Sequence, residues 1–169
     1  WSRCYLAIPQ GGQTTLFTSR GRLWATFSGY DGYAPFRDRP ALVPMTVTPD
    51  GILRPESSVI LEAGPVGSLR PVADFPIRDT HVHAGPDGWF YLTGTSKWPH
   101  NTFWTHNDGL HVWRSSNKRH WEHLGLVWDL AKESSWQLAG VPDRALWAPE
   151  IYFLKGTFWI TYSLNKKGG

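Results

Sequence analysis

The most regular feature of the chain is the alternation of apolar with polar or small side chains, over short stretches bounded by Gly, Pro, Asn and Asp. Period-two alternation of this kind predicts β-strands. Residues 110–114 alternate in this way, and the stretch 89–95 opens with an apolar run, Trp89–Leu92, directly after Asp87-Gly88. Because an Asp-Gly pair between two apolar runs is a strong hairpin signal, we predict two antiparallel strands joined by a turn at 86–88.

The same pattern predicts further short strands and turns along the chain. The other predicted strands lie at 4–8, 14–18, 23–27, 41–47, 121–127, 151–154 and 157–164. Clusters of Gly, Pro, Ser, Asn and Asp predict turns at 9–12, 19–21, 49–51 and 115–121, and a loop at 28–33. Residues 54–74 carry scattered Pro, Gly and Ser, which predicts an irregular connection and a boundary, whereas 131–138 fits either one helical turn or a loop.

One hairpin pattern occurs three times. A glycine is followed by a strand with a large aromatic residue three positions later and Thr five positions later. The three sets are Gly21, Trp24 and Thr26; Gly88, Tyr91 and Thr93; and Gly156, Trp159 and Thr161. The glycines are 67 and 68 residues apart, and residues three and five share one face of a strand. A repeat of this length predicts β-propeller blades with the aromatic members in their core; chance recurrence in a Trp-rich β protein is the alternative.

The composition agrees with an all-β protein and excludes some classes of partner. The 169 residues are 41% apolar and include 11 Trp, 13 Pro and 17 Gly. The single cysteine, Cys4, excludes an intramolecular disulfide, and no apolar run is long enough to cross a membrane. The net charge is only +3, with Lys and Arg scattered rather than clustered. We therefore expect neither nucleic acid nor a membrane as a partner.

Three further features concern candidate chemistry and whether the chain is part of a longer protein. Asp79 stands at the head of a predicted strand, where a carboxylate is either a cap for its own turn or a site residue. His81 and His83 alternate onto one face like a metal-binding pair, but no third ligand has convincing spacing, so no metal site is predicted. The chain starts at Trp1 and ends just after a strand signal, so we expect a piece of a longer protein, completed by missing blades.

These residues resemble glycoside hydrolase family 43. The motifs that carry the resemblance are Ile77-Arg-Asp79 with its hairpin, Asp108-Gly-Leu-His-Val-Trp-Arg-Ser115 with Trp121, and Trp147-Ala-Pro-Glu-Ile-Tyr152. They span residues 75–165, and the sequence departs from the family in having Thr80 where Pro usually follows the Asp. The resemblance implies an all-β partial five-bladed β-propeller, present as about two and a half blades of four-stranded antiparallel sheet.

The resemblance also divides the chain into blades. Residues 10–53 are similar to the last blade of the family, through Gly11-Gly12 and the stretches 29–32, 34–37 and 39–40. We therefore predict a last blade at 1–70, a first blade at 71–143 and the start of a second blade at 144–169. This order fits either a tandem protein or a permuted ring. Gln13 stands where the family often has His near a central metal, so no cofactor is assigned, and a structural calcium is an expectation for the intact propeller alone.

In that family two carboxylates act on opposite faces of the sugar, so the resemblance implies inversion, with Asp79 as the general base. The acid and a third carboxylate that tunes its pKa are expected from later blades. Glu150 is assigned to sugar binding or to structure, not to the acid. Trp147 is either a stacking platform for the sugar or blade core. Trp104 is predicted at the rim of the site.

Arg37 is predicted to contact a sugar hydroxyl or carboxylate, with a surface ion pair to Asp38 or Glu62 as the alternative. The predicted function is a fragment of an inverting hydrolase, of arabinofuranosidase or xylosidase type, acting on arabinose- or xylose-containing glycans. A non-catalytic carbohydrate-binding or scaffold propeller is the alternative. A lectin-like or sialidase-like propeller is a weaker one, suggested by the turn at 115–121. The resemblance implies a secreted or periplasmic protein.

Overall fold

The computed structural model describes residues 11–30, 38–56, 73, 75–97, 107–133 and 144–166, and all structural statements refer to these. They form ten β-strands and one short helix. The strands are β1 Gly11–Ser19, β2 Arg22–Tyr30, β3 Asp38–Val47, β4 Leu53–Pro55, β5 Arg78–Ala84, β6 Phe90–Thr95, β7 Gly109–Ser115, β8 Glu122–Asp129, β9 Arg144–Leu154 and β10 Thr157–Lys166; the helix is α1 Leu130–Glu133. The predicted all-β class is confirmed.

The strands form two four-stranded sheets and a hairpin. Sheet one has the order β1-β2-β3-β4 and sheet two the order β5-β6-β7-β8; strands β9 and β10 pair with each other. All neighbours are antiparallel and follow the chain order. The first strand of sheet two, β5, contacts both β1 and β9. The first strands of the three units therefore lie side by side, as they do around the axis of a propeller.

Of the three hydrophobic clusters in the described residues, one lies within sheet one and two lie between successive units. The cluster between sheets one and two contains Ile77, Val82, Phe90, Leu92 and Trp113, with Phe17 and Leu42 of sheet one packed against it. The cluster between sheet two and the β9–β10 hairpin contains Tyr91, Val112 and Ile151, with Trp89 and Ile160 packed against it. Because strand side chains alternate, Leu92 and Tyr91 serve opposite faces of the same strand. Each unit is thus held by stacking on its neighbour.

The three repeat glycines all occupy turns. Gly21 and Gly156 follow Arg20 and Lys155, and all four have φ between 50° and 81°. Two consecutive residues with positive φ make a two-residue turn whose twist matches that of the strands. Gly88, with φ 83°, ends the longer turn of sheet two, where its N–H donates to the Gly85 carbonyl. The three hairpins predicted from the repeat are confirmed.

Several predicted boundaries are wrong at glycine-rich positions. Strand β1 begins at Gly11, within the predicted turn 9–12, and β2 continues to Tyr30, within the predicted loop 28–33. The reason is that Gly11 pairs with Gly29, and backbone pairing needs no side chain. The helix Leu130–Glu133 is a single turn, and it overlaps the segment 131–138, for which one helical turn or a loop was predicted. The predicted strand 4–8 and most of the connection 54–74 lie outside the described residues.

The prediction that all three repeat aromatics are core is also wrong for one of them. Tyr91 is buried, and Trp24 is half-buried beneath the Lys118 ammonium, which lies 4.4 Å from its ring centroid. Trp159 is 58% exposed, because no sheet covers its face of β10 within the described part of the chain. No helix in that part is long and apolar enough to span a membrane.

Candidate active site

A β-bulge interrupts the first strand of each unit at an equivalent place. The bulged pairs are 13–14 opposite Phe27, 79–80 opposite Gly94, and 148–149 opposite Tyr162. Each opposing residue stands six positions after a repeat glycine. A bulge puts two residues opposite one, bends the strand and re-aims its side chains. The repeat seen in the sequence therefore includes a bulge that the hydrophobic pattern does not show.

The three bulges together form one cleft. It has a volume of about 230 Å³ and is lined by Thr14, Thr15, Asp79, Ala148 and Glu150. Each of these residues belongs to a bulge or directly follows one. Two threonines and two carboxylates give the cleft a polar wall, and this chemistry suits a ligand rich in hydroxyl groups.

Asp79 is held in an uncommon conformation within this cleft. Its φ is 53°, in the left-handed region that non-glycine residues enter at a cost, although Asp tolerates it better than most. The Thr95 hydroxyl donates to Asp79 Oδ2 at 2.6 Å. Asp79 Oδ1 is buried and makes no hydrogen bond with any residue in the described ranges. Strained backbone and an unsatisfied buried acceptor are features that concentrate at functional sites.

Ala148, on the opposite wall, repeats this strain. Its φ is 46°, although it precedes Pro149, and a residue before proline favours extended conformations. The Ala148 N–H donates to Thr95 Oγ1 at 2.8 Å. One hydroxyl therefore bridges the two strained residues, which lie on neighbouring units and 69 positions apart in the sequence.

Two histidines fix strand β9 against β5. His81 Nδ1 accepts a hydrogen bond from the Ile151 N–H at 3.2 Å, and His83 Nε2 accepts one from the Phe153 N–H at 3.1 Å. A ring nitrogen that accepts a hydrogen bond carries no proton, so both rings are neutral. Burial lowers the pKa of His81 to about 4, against the opposing effect of Glu150, and burial also lowers the pKa of His83.

Asn107 adds a further attachment to the same strand. Its Nδ2 donates to the Leu146 carbonyl at 2.6 Å, and its Oδ1 accepts from the Leu146 N–H at 2.9 Å. With the Thr95 and histidine contacts, backbone groups of β9 are bound at four residues by side chains of sheet two and its flanking residue 107. These attachments fix the position of Ala148 and Glu150 relative to Asp79.

Glu150 lines the cleft and is itself oriented by a neighbour. The Tyr152 hydroxyl donates to Glu150 Oε2. This hydrogen bond, together with burial and the nearby negative charge, raises the pKa of Tyr152 to about 12. Tyr152 therefore remains a donor across the physiological range, and one oxygen of Glu150 is engaged by it.

A family model for glycosyl hydrolases family 43 matches residues 68–169, which is more than half of the chain. The chain belongs to glycosyl hydrolases family 43. The matched segment includes Asp79, Thr95, Ala148 and Glu150, so most of the cleft lies within the family-43 region. Thr14 and Thr15 of sheet one lie before it. A comparison with curated proteins finds no match.

Solved structures agree with the family-43 fold. The chain is similar to a thermostable family-43 glycoside hydrolase, with a TM-score of 0.55 and 14% identity over 92% of this chain and 46% of that one. It is also similar to the family-43 YxiA protein of Bacillus licheniformis, with a TM-score of 0.51 and 13% identity over 96% of this chain and 39% of that one. The chain thus spans less than half of either structure. Its sheets are part of a β-propeller.

Of the three other predicted site residues of this family-43 chain, the structure describes one, Trp147. Trp147 is half-buried on β9, next to Ala148 but not among the five residues that line the cleft. Arg37 and Trp104 lie outside the described residues. No group of three or more His, Cys, Asp or Glu side chains is placed to hold a metal within the described ranges. The roles of these residues, and the calcium of the intact propeller, stay predictions.

Sequence reasoning missed the residue that joins the two family-43 motifs. Thr95 is fully buried and contacts both Asp79 and Ala148. A signal for it is present, because a hydroxyl residue stands seven positions after every repeat glycine, as Ser28, Thr95 and Ser163. Positions three, five and seven share one strand face, so the repeat is longer than the aromatic and Thr pattern alone suggests.

Proposed function

We propose that this chain carries the base-bearing part of an inverting glycoside hydrolase that acts on arabinose- or xylose-containing glycans, with Asp79 as the general base. The observation that supports the proposal best is the setting of Asp79. This carboxylate lines a polar cleft, lies in a strained bulge, and has one oxygen fixed by Thr95 while the other accepts nothing from the described residues.

In the proposed reaction, water attacks the anomeric carbon on the face opposite the leaving group. The carbon–oxygen bond to water forms as the bond to the leaving oxygen breaks. Asp79 takes the proton that water loses, and a carboxylic acid donates a proton to the leaving oxygen. The two carboxyl groups of an inverting enzyme stand roughly 6.5–9.5 Å apart to leave room for the water.

Glu150 is not assigned as that acid. It is a member of the Trp147–Glu150 motif and is hydrogen-bonded by Tyr152, and this arrangement suits acceptance of a hydrogen bond from a sugar hydroxyl. We propose that the acid and the carboxylate that tunes its pKa come from other blades of the complete protein. Trp147 is proposed to stack on the sugar, and Arg37 and Trp104 to contact it from the rim.

The partners follow from the same proposal. The ligand is a glycan, and the open faces of the described sheets are completed by further blades of the same protein. Since polysaccharides of this kind lie outside the cell, we propose that the protein is secreted or periplasmic.

The first experiment replaces Asp79 by Asn in the full-length protein. We expect kcat/KM on arabinan or xylan oligosaccharides to fall by about 10³-fold or more, because a general base contributes about 10²–10⁴-fold. Calorimetric affinity for the same oligosaccharides should change little, since the amide keeps the size of the carboxylate. Detection of the first-formed anomer by NMR tests inversion.

Asp50→Asn is the matched control, because Asp50 is exposed in the turn after β3, away from the cleft. It should leave both kcat/KM and affinity unchanged. Retained hydrolysis in Asp79→Asn would contradict the assignment of the base. Binding without hydrolysis in the unsubstituted full-length protein would indicate a carbohydrate-binding propeller instead.

A further inference from the structure

We propose that Thr95 is a positioning residue, which sets the orientation of the Asp79 carboxylate and couples it to the Trp147–Glu150 motif. The inference rests on the proposed role of Asp79 as the base. It adds a residue outside both motifs, on the second strand of the sheet.

The direction of the two hydrogen bonds is fixed by chemistry. The Ala148 N–H has only a proton to give, so Thr95 Oγ1 must accept at that contact. The hydroxyl has a single hydrogen, which is then directed to Asp79 Oδ2, 2.6 Å away. The two hydrogen bonds therefore run in series, from the backbone of β9 through Thr95 to the Asp79 carboxylate of sheet two. A hydrogen bond to an ionised acceptor is stronger than one between neutral groups.

The location of Thr95 makes this hydrogen bond effective. Thr95 is fully buried, and its Cα pairs with that of Arg78, directly before the bulged Asp79. A β-branched side chain at such a site has few rotamers, so the hydroxyl is held in place without help from solvent. Asp79 has a backbone conformation that most residues avoid, and the contact with Thr95 holds its side chain in one orientation.

The coupling fixes the distance between Asp79 on one wall of the cleft and the Trp147–Glu150 motif on the other. Ala148 stands between Trp147 and Glu150 in the sequence, so its N–H marks the position of the sugar-binding motif. Because Thr95 contacts Ala148 and Asp79 at the same time, a shift of either wall breaks one of the two hydrogen bonds. Misplacement of a catalytic group by about 1 Å can lower a rate by about 10²-fold. Thr95 therefore sets the spacing between the base and the bound sugar.

The test is Thr95→Val in the full-length protein, because Val keeps the shape and removes the hydroxyl. We expect kcat to fall by about 30- to 100-fold while KM changes less than about threefold. Thr95→Ser restores the hydroxyl and should return kcat to within about fivefold of the original. If the Val variant does not fold, Thr95→Ala, which also lacks the hydroxyl and adds no bulk, takes its place with the same expectation.

Thr93→Val is the matched control. Thr93 lies two residues earlier on the same strand, is equally buried, and donates its hydroxyl hydrogen to the His111 carbonyl at 2.9 Å. Its replacement removes a buried hydrogen bond without touching the base, so thermal stability should fall about as much as in Thr95→Val while kcat stays within about twofold. Equal losses of kcat in the two variants would show that Thr95 is merely structural, and an unchanged kcat in Thr95→Val would overturn the inference.

Asp79→Asn separates failure of this inference from failure of the proposed function. If Asp79→Asn is active, the base assignment fails and the inference falls with it. If Asp79→Asn is inactive and Thr95→Val is fully active, only the positioning role fails. In the double variant, Asp79→Asn with Thr95→Val, the second substitution should not lower the residual kcat further, since the effects of residues that act as a unit are not additive.

Discussion

At the scale of single residues, non-glycine residues with left-handed backbone inside a strand distinguish the cleft from the rest of the described chain. Five non-glycine residues have positive φ in that part. Arg20, Lys118 and Lys155 lie in turns or bends, where such angles are ordinary, whereas Asp79 and Ala148 lie within strands. A strained residue inside a strand persists only where its surroundings hold it, and here both residues line the same cleft.

His81 gives a pH dependence that can be measured. Its pKa is about 6.5 when unfolded and about 4 in the fold, where burial disfavours the charged ring. Between pH 4 and pH 6.5 the unfolded chain binds more protons than the folded chain. The contribution of His81 to the free energy of unfolding is therefore fully present above pH 6.5 and is lost as the pH is lowered toward 4. The loss should reach about 2–3 kcal/mol. Chemical denaturation at several pH values checks it.

His81→Gln should make this pH dependence shallower, because the amide oxygen can accept the Ile151 N–H and does not titrate in this range. His120→Gln serves as its control, since His120 is exposed in the turn before β8. An unchanged slope in His81→Gln would show that the acid sensitivity arises elsewhere.

Single residues were predictable from the sequence only where their chemistry is distinctive. Asp79 stood out as a carboxylate at the head of a strand, and the structure places it in the cleft. Thr95 did not stand out, because a threonine in a strand is common and its importance depends on Ala148, 53 positions away. The partner of a hydroxyl is a property of the fold, not of the local sequence.

At the scale of elements, turns and bulges differed in how well they could be predicted. The hairpin turns follow from local chemistry, since Gly adopts the positive φ that such turns require. A bulge is a mismatch in register between two strands, which neither strand shows by itself. This is why the repeat indicated the hairpins correctly but gave no sign that each first strand is bulged.

Gly94 tests the bulge that carries Asp79. It is the single residue opposite 79–80, and an added Cβ would lie 2.5 Å from the Arg78 carbonyl oxygen and 2.6 Å from an Ile77 side-chain carbon. Because one of these neighbours is backbone, Gly94→Ala must displace β5. We expect a loss of about 2–4 kcal/mol in the free energy of unfolding, measured by chemical denaturation, and lower hydrolytic activity.

Gly51→Ala is the comparison for this change. Gly51 has φ 82° but open space around its Cβ position, so Ala there has only the backbone cost of about 1–2 kcal/mol. If Gly94→Ala were no more destabilising than Gly51→Ala, the tight approach of β5 to β6 would not be a constraint on the bulge.

At the scale of the whole molecule, the order of the sheets was predictable and their attachment was not. The spacing of the repeat and the resemblance to family 43 led to successive antiparallel units, as observed. The side chains that bind β9 come from residues 39 to 70 positions earlier. The hydrophobic pattern does not report such distant polar contacts. The division at residues 70 and 143, and the assignment of last, first and second blades, stay predictions.

Asn107 tests how the units are attached. Asn107→Ala leaves both the N–H and the carbonyl of buried Leu146 without their side-chain partner. We expect a loss of about 2–4 kcal/mol in stability and faster hydrogen exchange at the Leu146 amide. Asn117→Ala is the control, since the Asn117 side chain accepts only from the Ser115 hydroxyl and from two backbone N–H groups of its own turn. Unchanged exchange at Leu146 in Asn107→Ala would show that stacking alone holds β9.

The attachment of β9 also bears on aggregation. One edge of β9 pairs with β10, and in the described part of the chain the other edge forms no backbone pairing with a strand. An open edge is a template on which another polypeptide can add a strand. Here the side chains of Asn107, Thr95, His81 and His83 occupy its donors, so a neighbouring chain finds few N–H groups to bind. The contacts that align the cleft thereby also protect the protein against intermolecular sheet growth, and that protection should weaken in acid as the two imidazoles take up protons.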